Sequence, residues 1–426
     1  MERSCSVYNT YLKILERELV PAMGCTEPIA IAYCAAKARA ALGALPDHIK
    51  VTASGNIIKN VKSVIVPNTG GGRGIAVAAA IGAMAGDEAK GLEVISGVND
   101  EQRAQLKVYM EQIKIEVLPA ESEYLLDIAV TVNKGNSTAT ARTVSEHTNI
   151  VYIEKDGKVI EQKEATEKPD PDAPDYDLLS MKDIYDFAAT AELSDVSAIL
   201  DRQIELNSAI SKEGLEKDYG ANIGKVLLKA YGNDIKTRAK AAAAAGSDAR
   251  MNGSCLPVVI NSGSGNQGIT ASMPVIEYAK ELGSGKEKLY RALLISNLVT
   301  LHQKTGIGRL SAYCGAVSAG AGAGAGIAYL CGGDYETVIH TVVNAVAITS
   351  GIICDGAKSS CAAKIAFAVD AGIMGYEMYK NGQQFYGGDG VILKGVENTI
   401  RNIGRLGRIG MKETDKEIIK MMTEGH

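Results

Sequence analysis

Tryptophan is absent from this 426-residue chain and phenylalanine occurs only 3 times. Its interior therefore cannot be built on aromatic side chains. With 46% hydrophobic residues and 46 glycines, the core must come from Ala, Gly, Val, Ile and Leu. Such small side chains let helices approach closely, so tightly packed helices are predicted. A net charge of −5 without a basic stripe argues against nucleic acid as a partner. The first twenty residues lack an apolar signal-peptide core. The two uncharged stretches, Leu310–Gly333 and Thr337–Cys354, are rich in Gly and Ala or carry His340 and Asn344. Buried helices suit them better than membrane spans. None of the 8 cysteines forms a C-x-x-C pair, which counts against a structural zinc or a thioredoxin-type couple. In a non-secreted, cytoplasmic chain they read as free thiols, metal ligands or nucleophiles.

What is present divides the chain by texture. Tyr8, Tyr11, Leu12, Leu15 and Leu19 fall on one helical face. A Pro-Ala-Met-Gly-Cys-Thr-Glu-Pro loop (21–28) then leads into an Ala-rich helix ending near Leu42. Between residues 46 and 165, β-branched runs at Lys62–Val66, Leu92–Ile95, Lys114–Val117, Leu126–Val132 and Asn149–Glu154 predict strands. Helical stretches at Gly74–Met84 and Glu101–Gln112 separate some of them. A linker is expected over 166–180, around Pro169, Pro171 and Pro174. From 181 to 426 the pattern is helical, at about 181–193, 195–210, 222–246, 286–304, 311–330, 335–352, 358–380 and 391–407. A short extended run, Pro257–Ile260, interrupts it. The expected class is α+β: a mostly helical catalytic domain built from residues 1–45 and 181–426, with an inserted α/β-sandwich-like domain.

Four groups of residues could carry chemistry. Cys314, Cys354 and Cys361 are flanked by small residues that leave room for a bulky group. Three thiolates suit a [4Fe–4S] cluster with one open iron, although cysteine is also a common small core residue. Cys25 precedes a predicted helix, where the macrodipole favours a reactive thiolate; packing beneath the turn is the alternative. The Asn68–Gly74 loop follows a predicted strand and opens a helix, so its N–H groups can hold an anion. Ser262–Gly268 contains G-x-G-x-x-G, but no second strand or acidic residue follows as a dinucleotide fold requires. Binding a small carboxylate through Asn266 and Gln267 fits it better, and a plain turn remains an alternative. A pyridoxal phosphate enzyme is the rival, yet no lysine stands out for it. His302 and His340 read as core residues; His48, His147 and His426 read as peripheral.

Gly-Cys-Thr-Glu-Pro (24–28), Ser-Gly-Asn-Ile-Ile-Lys-Asn (54–60), Asn-Thr-Gly-Gly (68–71), Gly-Ser-Gly-Asn-Gln-Gly (263–268), Ile-Gly-Arg-Leu-Ser-Ala (307–312) and the Cys314/Cys354/Cys361 triplet occur in that order. Together, from about residue 20 to 410, they resemble the L-cysteine desulfidases, relatives of the α part of iron–sulfur L-serine dehydratases. The resemblance implies a [4Fe–4S] cluster on those three cysteines and a catalytic Cys25. The implied reaction converts L-cysteine and water to pyruvate, ammonia and sulfide without pyridoxal phosphate. Ser264, Asn266 and Gln267, with Thr69, Gly70 and Gly71, are expected to bind substrate. No serine-dehydratase β domain is visible, which favours cysteine; an L-serine dehydratase or a non-catalytic cluster- and carboxylate-binding protein stays open. So do a homodimer and the role of Cys255.

Overall fold

A computed structural model of the chain describes residues 1–164 and 173–424. In chain order the elements are α1 (Ser6–Glu18), β1 (Pro21–Met23), α2 (Thr26–Leu42), β2 (His48–Ala53), α3 (Gly55–Val61), α4 (Gly74–Ala85), α5 (Asp100–Gln112), β3 (Lys114–Pro119), β4 (Asp127–Lys134), β5 (Ser137–Val144), β6 (Ile150–Lys155) and β7 (Lys158–Gln162). Helices then dominate: α6 (Met181–Thr190), α7 (Leu193–Glu216), α8 (Ile223–Tyr231), α9 (Ile235–Met251), β8 (Pro257–Val259), α10 (Gly265–Glu281), α11 (Lys286–Ile307), α12 (Gly315–Leu330), α13 (Tyr335–Thr349), α14 (Cys361–Lys380), α15 (Val396–Arg405) and α16 (Lys412–Glu424). The class is α+β. No described helix is long and apolar enough to cross a membrane.

Two hydrophobic cores organise these elements. One is helical: α1, α6, α7 and α9 to α15 contribute Tyr8, Tyr11, Phe187, Leu200, Leu294, Val317, Ile365 and Ile400, among others. The second lies between α2 and α4 and a six-stranded sheet of order β3-β2-β4-β5-β6-β7. In that sheet β2 runs parallel to β3, and the remaining neighbours are antiparallel. The boundary expected at residue 45 is therefore displaced. α1 packs in the helical core, whereas α2 is buried along most of its length and packs on α4, β4 and β5.

The paucity of aromatics shows in the α10–α14 packing. Along α12, Gly320 and Gly324 face the backbone of α14 so closely that an added Cβ at Gly320 would lie 2.3 Å from the Ala368 carbonyl oxygen. Alternating glycines thus replace side-chain interdigitation with near backbone contact.

Several sequence expectations differ from the fold. Lys62–Val66 and Leu92–Ile95 are not strands: the first follows the short helix α3, and the second begins within a 3₁₀ turn at Gly91–Glu93. Both runs are apolar because they are buried, and burial alone does not distinguish turn from strand. The helix expected over 222–246 is two, broken between Tyr231 and Ile235, where Gly232 has φ +87° and Asp234 caps α9. α10, which is absent from the helices expected from sequence, forms with Pro274 inside it, because packing on α9, α11 and α12 outweighs one missing hydrogen bond. The described part of the expected linker is docked: Tyr11 Oη donates to the Leu178 carbonyl at 3.0 Å. Pro169 and Pro171 lie outside the described residues.

Candidate functional site

The two cores meet at a cavity of about 110 Å³ lined by Cys25, Glu27, Arg250, Ser264, Asn266, Gln267, Lys304, Arg309 and the three cysteines Cys314, Cys354 and Cys361, among others. Short backbone pairings assemble it. β1 runs antiparallel to β8, with Ala22 opposite Val258. β1 leads directly to Cys25, and β8 leads to the Asn261–Ser264 turn, so one ribbon sets both loops side by side. Thr26 Oγ1 then donates to the Gly263 carbonyl at 2.9 Å. Gly263 needs its glycine: φ is +75°, and a Cβ would lie 3.1 Å from Arg309 Nη1. Behind the ribbon, the Asn207 carboxamide bonds both N–H and C=O of Val259, at 2.8 and 3.3 Å. On the opposite wall Tyr313 bridges Ile353, and the Cys314 N–H donates to the Ile352 carbonyl at 3.2 Å. That places Cys314 beside Cys354, while Cys361 opens α14.

Four helices begin at this cavity: α2 after Cys25, α10 after Ser264, α12 after Cys314 and α14 at Cys361. None has a side-chain hydrogen bond capping its first turn. Each start carries roughly half a positive charge. Their convergence makes the cavity a place for anions.

The titratable groups follow from this burial. Cys25 is held as a thiol, not the thiolate its helix position suggested. Burial pushes its pKa well up, the Glu27 carboxylate adds to this, and Arg250 offsets only part. Its Sγ–H donates to Glu27 Oε2 at 3.0 Å. Glu27 also accepts from Asn60 Nδ2 at 3.3 Å, and His147 Nε2 lies 3.9 Å away. Burial opposes ionisation of Glu27, but the His147 imidazole and the bonds from its neighbours pull its pKa down to about 2. His147, which looked peripheral in sequence, is thus a buried neighbour of Cys25's partner, presented by the turn between β5 and β6. Burial lowers Lys304 to about 8, opposed by the nearby Cys354 and Cys314 sulfurs. Burial and the adjacent Cys354 push Cys314 up to about 12.

The three cysteines are free thiols close enough to act on one another's charge. No three His, Cys, Asp or Glu side chains among the described residues are grouped tightly enough to hold a single ion. An iron–sulfur cluster makes a different demand, since its thiolates sit on separate irons. An all-thiol donor set, a buried lysine and converging helix starts match the charge of such a group.

Of the residues expected to bind substrate, Ser264, Asn266 and Gln267 line this cavity, and Thr69, Gly70 and Gly71 do not. Thr69 Oγ1 donates to the Val66 carbonyl at 2.6 Å and accepts from the Gly72 N–H at 3.1 Å, closing its own loop. Cys255 also stays outside, with Sγ 2.8 Å from Asn68 Oδ1. Sequence reasoning passed over Arg250 and the site role of Glu27. One signal for Arg250 existed: Asp248 and Arg250 are charges at the end of a run of alanines too apolar for an exposed helix.

The serine dehydratase alpha chain family matches residues 89–420. The UPF0597 protein of Desulfitobacterium hafniense (strain Y51) is 60% identical over 422 residues, spanning 99% of this chain and 98% of its own length. Its counterpart from Lachnoclostridium phytofermentans is 51% identical over 416 residues, covering 98% of this chain and 100% of that protein. A UPF0597 protein of Fusobacterium nucleatum is 44% identical over 421 residues, covering 97% and 98%. The family match points to a lyase-type enzyme. The chain belongs to the serine dehydratase alpha chain family.

Proposed function

We propose that the protein is a [4Fe–4S]-dependent lyase that eliminates sulfide from L-cysteine, giving pyruvate and ammonia. One observation carries this reading: Cys25, the Ser264–Gln267 loop and Cys314, Cys354 and Cys361 share one anion-favouring cavity.

Cys314, Cys354 and Cys361 would hold the cluster, which would supply Lewis-acid chemistry toward the substrate's sulfur. The chain's own residues handle the proton. Elimination takes the Cα proton as sulfur leaves Cβ. Cys25 receives that proton on Sγ while its own passes to Glu27 Oε2, 3.0 Å away. Glu27, whose pKa is held near 2, only relays that proton onward to water, and Asn60 keeps its second oxygen in place. A positioned base of this kind contributes about 10²–10⁴-fold. Asn266 and Gln267 fix the substrate so that the Cα–H and Cβ–S bonds align. Lys304, buried against the cluster cysteines, offsets their negative charge. The aminoacrylate product leaves and hydrolyses in water.

The test is anaerobic reconstitution with iron and sulfide, then counts of iron and of sulfide and pyruvate released from L-cysteine. About four irons per chain and equal amounts of both products are expected. Protein that takes up iron yet releases neither product would leave only a binding role. A second reading is favoured by the family match itself: the same machinery acting on L-serine. The ratio of kcat/KM for the two amino acids decides between them.

A further inference from the structure

Four cations line the cavity, and they are not alike: Lys59 is already paired with the Asp415 carboxylate. Arg309 is neutralised, its Nη2 lying 2.8 Å from Glu18 Oε1. Lys304 has no carboxylate partner among the described residues, but the Cys314 and Cys354 sulfurs act on it, so the cluster thiolates match its charge. Arg250 is 2% exposed and has no carboxylate partner among the described residues. Its one hydrogen bond runs from Nη1 to Asn266 Oδ1 at 3.0 Å, and its Nε–H has no acceptor. A guanidinium buried without a counter-ion is strongly disfavoured, and Arg cannot relieve this by losing its proton. An anion from outside the chain is needed to complete it.

Position narrows what that anion is. The guanidinium packs against the first residue of α10: a Cβ on Gly265 would come within 2.2 Å of Arg250 Nε. The cation and the positive start of α10 therefore share one end of the cavity. That end is the Cys25 side: Cys25 packs with Met251, next in the chain to Arg250, and the Arg250 charge acts on Cys25. In a β-elimination the carbon that gives its proton to Cys25 also bears the carboxylate. The sulfur, two bonds away, has to reach toward the three cysteines and Lys304.

We propose that Arg250 is the receptor for the substrate's α-carboxylate, with Asn266 held by Arg250 as the second contact. This deepens the lyase reading and rests on its placement of Cα beside Cys25. Arg250 is then a specificity-determining residue that restricts the cavity to small thiols bearing a carboxylate. The planar fork pairs both carboxylate oxygens and orients Cα, which a lysine at this position would not do.

The test uses anaerobically reconstituted protein and two ligands, 3-mercaptopropionate and its neutral amide, with dissociation constants measured by calorimetry. The parent protein should bind the acid about 10- to 100-fold more tightly than the amide, as a buried charge-assisted pairing requires. Arg250→Gln should bring the two within a few-fold of each other by weakening the acid alone. Arg250→Lys should retain part of the preference. An unchanged ratio in Arg250→Gln, or no preference in the parent, overturns the assignment. If Arg250→Gln fails to fold by circular dichroism, Arg250→Lys decides alone, and an undiminished ratio there overturns it equally. A parent that shows the preference and loses it with Arg250, yet releases no sulfide or pyruvate, keeps Arg250 as the carboxylate receptor and removes the lyase reading instead.

Discussion

The loops Asn68–Gly74 and Ser262–Gly268 look interchangeable in sequence, being glycine-rich, polar and placed ahead of a helix. They differ in what faces them. Ser262–Gly268 is tied by β1 and β8 to Cys25 and faces Arg250 and the three cysteines across a cavity. The other loop satisfies itself through Thr69, and its Asn68 Nδ2 donates to the Ile95 carbonyl at 2.9 Å. A glycine-rich loop therefore encodes a backbone shape. Membership of a site depends on whether the opposing wall leaves charge and hydrogen-bonding groups unmatched.

The contrast can be broken in four ways, and the largest effect lies on the cavity side. Replacing Cys314, Cys354 or Cys361 with Ser exchanges a soft ligand for a hard one and should abolish both iron binding and turnover. Cys331→Ser, at an exposed position beyond α12, should change neither. Iron analysis and the visible spectrum check this; full iron in all three variants would remove the ligand assignment. Cys25→Ala should keep the iron while turnover falls by about 10² or more, the loss typical of a missing base. Solvent deuterium should enter Cα of unreacted cysteine in the parent and not in this variant.

The loops themselves can be compared next. Asn266→Ala should raise KM by about tenfold, the size of one lost charge-assisted bond. Thr69→Ala should leave KM and kcat unchanged while lowering stability by about 1 kcal/mol, as two local hydrogen bonds are lost. Equal effects on KM would erase the distinction between the loops.

The smallest effect concerns two buried carboxylates with opposite shifts. Glu27, in the cavity, has its pKa lowered to about 2. Its ionised form therefore contributes stability above the usual carboxylate range, and this is lost as pH falls from about 4.5 toward 2. Asp248, in the scaffold, is raised to about 6 because burial outweighs the bonds it accepts. Its contribution is present at low pH and is lost as pH rises from about 4 to 6. Thermal melts should show Glu27→Gln less stable than the parent at pH 7, with the gap closing toward pH 3. Asp248→Asn should gain on its parent above pH 6 and not at pH 4.

The division between loops was not legible in the sequence, although much else was. The helix around Tyr8–Leu19 follows from its one apolar face, and those at Lys286–Lys304 and Tyr335–Thr349 follow from length and apolar content. The strands β5 and β7 went unrecognised because Ser137–Val144 and Lys158–Gln162 are polar, and only pairing within the meander makes them strands. The ordered motifs marked Cys25, Asn266 and the cysteine triplet as candidates. Arg250 and Glu27 could not be weighed in the same way, because what distinguishes them is a missing or a present partner across the cavity. Partnership between residues such as Glu27 and His147, far apart in the chain, is a tertiary fact, and local pattern does not carry it.

The ribbon of β1 and β8 bears on how the protein comes into being. Synthesis proceeds from the N-terminus, and domains fold as they emerge. The sheet and α2 are complete by residue 162, so that core can close while the helical body is still being made. Cys25 then waits at the edge of a finished unit for a strand beginning at Pro257 and for cysteines as late as Cys361. Joining segments so distant in the chain is slow, because the intervening loop must first be ordered. Maturation of the site is thus the closing event of folding, and a nascent chain stalled before Cys361 should contain a folded sheet domain that cannot retain iron.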